Sequence, residues 1–194
     1  MWVRKSSIRP VPAFARVTAG TVDKVRETLL SQSEDDAEAG LDEFFEDFEQ
    51  AQPALYATVS GTLEEPMDET ARALGYFLSL VVWLSFQDAH GRALKSVSTD
   101  EIRGTTELLE FDSQLRAEDP TEPLETDDVI TMLQPALMQF VHEQIQGALE
   151  DQGAAADIDE LQAVYKILMV ELLSLSYAVS APIGFPLSKA EAQA

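Results

Sequence analysis

From Ala73 to Phe86 the chain runs fourteen residues without a charge. Leu74, Phe77, Leu78, Val81, Val82, Trp83 and Phe86 leave no side of a helix polar. A run of this length falls short of the ~20 residues that cross a bilayer, so it reads as a helix buried in the middle of a globular protein. Ile158 to Tyr177 is a second strongly apolar segment. Neither helix has a face to give to water. The two are therefore expected to pack on each other as a central pair, with amphipathic helices outside them.

The remaining pattern is helical too. Residues 1–20 read as a basic, extended arm broken by Pro10, Pro12 and Gly20, after which Thr21 caps a short helix carrying Val22, Val25, Leu29 and Leu30 on one side. Ser31 to Gly40 reads as a polar connection. Leu41, Phe44, Phe45 and Phe48 then fall at i, i+3, i+4 and i+7, with Asp42, Glu43, Glu46, Asp47 and Glu49 opposite them. Pro53 ends or kinks this helix. Pro66, Asp68 and Glu69 open the first buried helix, and Gly91 closes it. Ser98 to Glu101 is a capping box ahead of Ile102, Leu108, Leu109 and Leu115. Glu118 to Glu125 is a loop. Thr126 caps a further amphipathic segment interrupted at Pro135, Gly153 to Ala156 is a break, and Pro182, Gly184 and Pro186 punctuate the tail 182–194. Alternation of the β kind never lasts. The expectation is an all-α, compact bundle of about six helices over residues 21–181.

An internal repeat sharpens that reading. Gln52-Pro53-Ala54-Leu55 recurs as Gln134-Pro135-Ala136-Leu137, and at the same offset of 82 Phe48, Val59 and Leu63 meet Ile130, Val141 and Ile145. Beyond the next turn the offset becomes 91, pairing Leu84-Ser85-Phe86 with Leu175-Ser176-Tyr177. Two repeats, 41–91 and 126–178, would give the bundle an approximate internal two-fold.

Charge restricts the function. With 13 Lys and Arg against 35 Asp and Glu the formal charge is −22. Residues 1–26 hold Arg4, Lys5, Arg9, Arg16, Lys24 and Arg26 against the lone acid Asp23, a net +5 that leaves −27 on the rest. Such a body does not suit direct binding to nucleic-acid phosphates or to anionic membranes. The arm is expected to lie on the chain's own acidic surface. Its prolines and Gly20 spoil the amphipathic helix of a transit peptide, and no apolar run follows its charges as in a secretory signal. Zero cysteine removes thiol chemistry and disulfides, and fits the cytoplasm.

Catalytic and metal motifs are equally sparse. Gln87 and Gln139 stand three residues before His90 and His142, where a di-iron bundle needs glutamate. No phosphate loop or nucleophile elbow occurs. His90 is expected at a helix C-terminus, where the dipole favours a cation, and His142 half-exposed. Glu171 interrupts an apolar run; it either reaches water at the stripe's edge, the favoured reading, or is buried with Arg72 as its partner. The acids Asp42, Glu43, Glu46, Asp47 and Glu49 form a solvated face that can serve as an interaction surface, since no calcium loop accompanies them. The apolar tail from Pro182 to Leu187 is expected to cover the core.

The function these features suggest is a non-enzymatic interaction or regulatory module, without cofactor or metal, presenting an acidic surface to a basic protein. Self-association stays open. One alternative is a nucleic-acid mimic that inhibits a basic protein. Another is a salt-adapted protein with a small-ligand pocket between its buried helices, since only 5 of its residues are Lys.

Overall fold

In the computed structural model, residues 8–35, 37–118, 126–152 and 158–184 are described. They are all-helical, with eight α-helices: α1 (Ala19–Asp35), α2 (Ala37–Ala51), α3 (Pro53–Leu63), α4 (Glu69–His90), α5 (Thr99–Glu118), α6 (Thr126–Leu133), α7 (Pro135–Gln152) and α8 (Ile158–Ala178). Single turns of 3-10 helix lie at Ala13–Ala15 and Gly91–Ala93. Among the described residues, extended pairing is limited to one isolated antiparallel bridge between Leu94 and Val179.

Eight rather than six follows from two prolines. Pro53 and Pro135 each take the first position of a new helix, where a missing N–H costs nothing. Each thereby splits what periodicity reads as one helix. Gln52, at φ −135° and ψ 58°, makes the corner before α3.

Other boundaries move for local reasons. Helix α1 starts at Ala19 and is capped by Thr18, whose hydroxyl accepts from the Thr21 N–H at 3.3 Å, so Thr21 is inside the helix. The polar stretch after Ser31 is helical to Asp35 and again from Ala37, because it contains no proline to stop it. Pro66 precedes α4; the cap is Asp68, which accepts from the Thr70 N–H at 3.0 Å. At the far end Gly91 takes φ +47°, a conformation that favours glycine. The capping box forms: Glu101 accepts from the Ser98 N–H at 2.7 Å, and the Ser98 hydroxyl from the Glu101 N–H at 3.3 Å. Thr126 is the first residue of α6, and its hydroxyl donates to Asp112 instead of capping. The loop from 119 to 125 and the break around 153–156 lie outside the described residues, as do Trp2, Arg4 and Lys5.

The two apolar helices form the centre. Helices α4 and α8 pack along one another and run parallel. At their N-terminal ends the Asp68 N–H donates to Glu160 at 2.9 Å. About a third of the way along, a Cβ on the buried Gly75 would press on the Leu63 side chain of α3 and touch Val164 of α8, so Leu63 fills the space that glycine leaves. At the C-terminal ends Leu94 meets Val179. Around the pair, α1 packs on α4 and α5 on α8, while α3 crosses to α8 and α7 to α4. Trp83 sits in this core, stacked on Phe48 of α2 at 4.9 Å between ring centres.

Residues 8–18 lie against the bundle. Ile8, Val11, Ala15 and Val17 are buried, the Arg9 guanidinium stands 4.5 Å over the Tyr177 ring, and the Tyr177 hydroxyl donates to the Arg9 carbonyl at 2.8 Å. Ile183, by contrast, is fully exposed. The described part of the tail, Pro182 to Gly184, is exposed throughout and does not cover the core as expected; the buried apolar residue here is Val179, at the bridge ahead of the tail.

Candidate functional site

The acidic surface begins with the amphipathic pattern of α2. Phe48 is buried, and Leu41, Phe44 and Phe45 are half-buried against the core, with Phe45 edge-on to Tyr76 of α4. That fixes the rotation of the helix. Asp42, Glu43, Glu46, Asp47 and Glu49 are consequently all exposed, over about two turns. No ion pair among the described residues involves any of the five. Five solvated carboxylates on one rigid face make a local negative field that a basic surface can meet.

The fold holds two buried amides that composition gives no reason to expect. Gln134 is fully buried; its Oε1 accepts from the Val17 N–H at 3.0 Å, and its Nε2 donates to the Ala15 carbonyl and the Ser176 hydroxyl, each at 2.9 Å. Gln52 does the same elsewhere: Oε1 accepts from the Val97 N–H at 2.8 Å and Nε2 donates to the Lys95 carbonyl at 3.0 Å. Each side chain reads the N–H of one residue and the C=O two positions earlier, as a neighbouring strand would. Sequence reasoning noted both glutamines as part of a repeat but missed this role. A signal was present: Val17-Thr18 and Val97-Ser98 both lead into a helix, 80 positions apart.

Arg72 and Glu171 do not meet. The Arg72 guanidinium donates to the carbonyls of Leu63 and Met67, at 3.0 and 3.3 Å, satisfying the end of α3. Glu171 does not reach water either. It is fully buried on α8, and neither carboxyl oxygen has a hydrogen-bond partner. Burial pushes its carboxyl well above the usual carboxylate range, opposed more weakly by the Ser79 hydroxyl of α4.

The histidines are separate from one another. His90 ends α4 as its spacing suggests, yet the cation expected there is disfavoured: burial holds it below the usual histidine value, against a smaller raising influence from the Ala15 backbone. His142 is exposed on α7, with Nε2 2.7 Å from the Tyr165 hydroxyl. Among the described residues no three His, Asp or Glu side chains gather as a metal set. By length and hydropathy α8 alone among them could cross a membrane, and 61% of its apolar window is buried in the bundle. Comparison with protein-family models, curated proteins and solved structures gives no match.

Proposed function

We propose that this protein is a non-enzymatic interaction or regulatory module of the cytoplasm that offers the α2 face to a basic protein partner. The carrying observation is the exposure of Asp42, Glu43, Glu46, Asp47 and Glu49 on a helix whose other side is locked into the core. Such a face steers and orients a partner more than it adds raw affinity, so binding should be fast and salt-sensitive. The test is fluorescence anisotropy with a lysine- and arginine-rich peptide. Wild type should bind, and a variant with all five acids changed to Asn or Gln should bind at least tenfold more weakly. Equal affinities would refute the α2 surface.

We further propose that the bundle arose by internal duplication, its units being α1–α4 and α5–α8. Three features support this. Gln52 and Gln134 make the same bonds, each to the segment before the first helix of the other unit. The caps Thr18 and Ser98 accept from Thr21 and Glu101, all at an offset of 80. The cross-packing is reciprocal, α3 on α8 answering α7 on α4, and α1 on α7 answering α5 on α3. Such a duplication would place an approximate two-fold axis along the parallel central pair.

A second reading has its own support. Exposed acids are not confined to α2; Asp23, Glu27, Asp100, Glu107, Glu110, Glu143, Glu150 and Asp159 carry them onto α1, α5, α7 and α8. A surface acidic on many sides suits a protein working in concentrated salt, and its melting temperature in sodium chloride separates the two readings.

A further inference from the structure

Between α4 and α8 lies a buried carboxyl that, unlike Asp112 with Arg116, has no cation paired with it among the described residues. Glu171 and Ser79 are both 0% exposed, and all their side-chain oxygens lack hydrogen-bond partners. Ser174, one turn along α8, is also buried with an unpartnered hydroxyl. Polar groups left without partners in a largely apolar core are costly, and an isolated ionised carboxylate far more so. A neutral carboxylic acid avoids most of that cost and gains an O–H that Ser79 can accept.

Among the described residues no cation is paired with the charged form. On α4 the ionisable groups sit towards the ends: Glu69, Arg72 on its two carbonyls, half-buried Tyr76, Asp88 paired with Lys24, and His90. Helix α3 brings only Tyr56. Helix α5 brings Asp100 paired with Arg103, the buried pair Asp112 and Arg116, and Glu101, Glu107 and Glu110 on its outer side. On α8 itself Asp159 and Lys166 are exposed, Glu160 and Tyr165 are half-buried, and the Tyr177 hydroxyl is engaged with Arg9. Among the described residues none of these groups makes an ion pair with Glu171, and the side chain that acts on it is Ser79.

We propose that Glu171 is a proton-operated catch at the centre of the bundle: α4 and α8 close on the neutral acid and part when it ionises. Ionisation releases one proton to solvent and leaves a charge that water must enter the interface to solvate. The bundle therefore loosens as pH rises. The strong upward displacement of the Glu171 carboxyl is what this geometry demands.

The sign fixes the experiment. Between the ordinary carboxylate value and that of buried Glu171, the unfolded chain has lost a proton that the folded chain retains, so stability falls with rising pH. Urea unfolding of the full chain from pH 5 to 9 should show the folding constant of wild type, relative to Glu171→Gln, falling by up to tenfold per pH unit before it levels off. Protection factors at α4 and α8, which is exchange corrected for its intrinsic base catalysis, should fall by the same factor in wild type and stay level in Glu171→Gln. Infrared spectra at pH 7 should contain a protonated carboxylic acid band that Glu171→Gln lacks. Should that variant fail to fold, Glu171→Leu provides the same comparison, and the wild-type band stands independently. A constant ratio across the pH range, or no protonated acid at pH 7, overturns the proposal.

Discussion

The Val17 N–H donates to Gln134 Oε1 at 3.0 Å across 117 positions of sequence. With the Nε2 bond to Ala15, this ties the segment before α1 to the corner between α6 and α7. Truncation leaves a buried N–H and C=O without partners, at about 1–3 kcal/mol for each unsatisfied group. Gln134→Ala should therefore cost several kcal/mol in urea unfolding. Gln52→Ala should cost less, because Gln134 also holds Ser176 whereas Gln52 has only its two backbone partners. Gln134→Glu should be worse than Gln134→Ala, since it replaces a donor by a buried charge facing the Ala15 carbonyl. A larger loss at Gln52 would show that the two amides are not working in the same way.

Trp83 is 3% exposed and stacked on Phe48 with its ring only 15° from parallel. Its Nε1 has no hydrogen-bond partner, so the site uses the ring and not the polar edge. Trp83→Ala should cost ~3–5 kcal/mol, and Trp83→Phe markedly less. A double-mutant cycle with Phe48→Leu should return a coupling of ~0.5–1.5 kcal/mol for the stacked pair. Emission of Trp83 should be blue-shifted and shielded from iodide. Trp83→Phe costing as much as Trp83→Ala would mean that the indole edge matters.

Periodicity carried the fold class and the central pair because both depend on the sum of many apolar positions. Leu78, Val81, Val82 and Phe86 vote together, as do Val164, Leu168 and Leu175, and all seven are buried. Boundaries depend on single atoms and were less legible. Thr18 and Thr21 are the same residue type, and only the hydroxyl that meets an N–H is the cap. Glu171 shows a different limit. Helical spacing puts it near Val164, Ile167 and Leu175, but whether its edge of α8 faces water depends on the packing of other helices, α4 with Ser79 among them, over it. Arg72 was a reasonable partner by charge, yet the carbonyls of Leu63 and Met67 lie nearer in the fold than any acid. The acids of α2 were legible because one strong stripe, Leu41 to Phe48, fixes the opposite face without help from the rest of the chain.

His90 adds a titration on the acid side. Burial holds its folded value below that of the unfolded chain, so below about pH 6.5 the unfolded chain binds the extra proton and stability falls with falling pH. The loss should continue until His90 protonates in the folded chain. Its size should stay below the full tenfold per pH unit, because His90 is only half-buried. Comparing wild type with His90→Gln between pH 7.5 and 5 isolates this effect from Glu171, whose influence has the opposite sign. Identical slopes would mean that the imidazole titrates equally in both states.

The capping box at α5 offers a local test. Glu101 is held below the usual carboxylate value chiefly by its hydrogen bonds from Ser98. Ser98→Ala should cost ~1 kcal/mol, within the ~0.5–2 known for such caps. The stability from Glu101 is present above the ordinary carboxylate range and is lost as pH falls through its lowered folded value. Glu101→Gln should therefore blunt the acid-side loss near and below pH 4.5, and leave the slope above pH 6 unchanged. An altered slope at neutral pH would point to an additional ionisable partner.

Salt discriminates between the acidic surface as a partner site and as an adaptation. A body with −27 outside residues 1–26 repels itself, and mobile ions relieve that repulsion over a Debye length of ~10 Å at 0.1 M. The melting temperature should rise as sodium chloride increases from low concentration. If α2 is a partner face, most of the gain should be complete by a few tenths molar, and binding of the basic peptide should fade over the same interval. Neutralising Asp42, Glu43, Glu46, Asp47 and Glu49 should then raise the low-salt melting temperature and flatten much of its salt dependence, because among the described residues these five exposed acids have no ion-paired cation. In a salt-adapted protein the rise should continue into the molar range, and the five substitutions should remove only a minor share of it, since acids on α1, α5, α7 and α8 remain. A melting temperature indifferent to salt would mean that the exposed carboxylates are too far apart to repel one another, and the α2 face would lose the field on which its proposed partner depends.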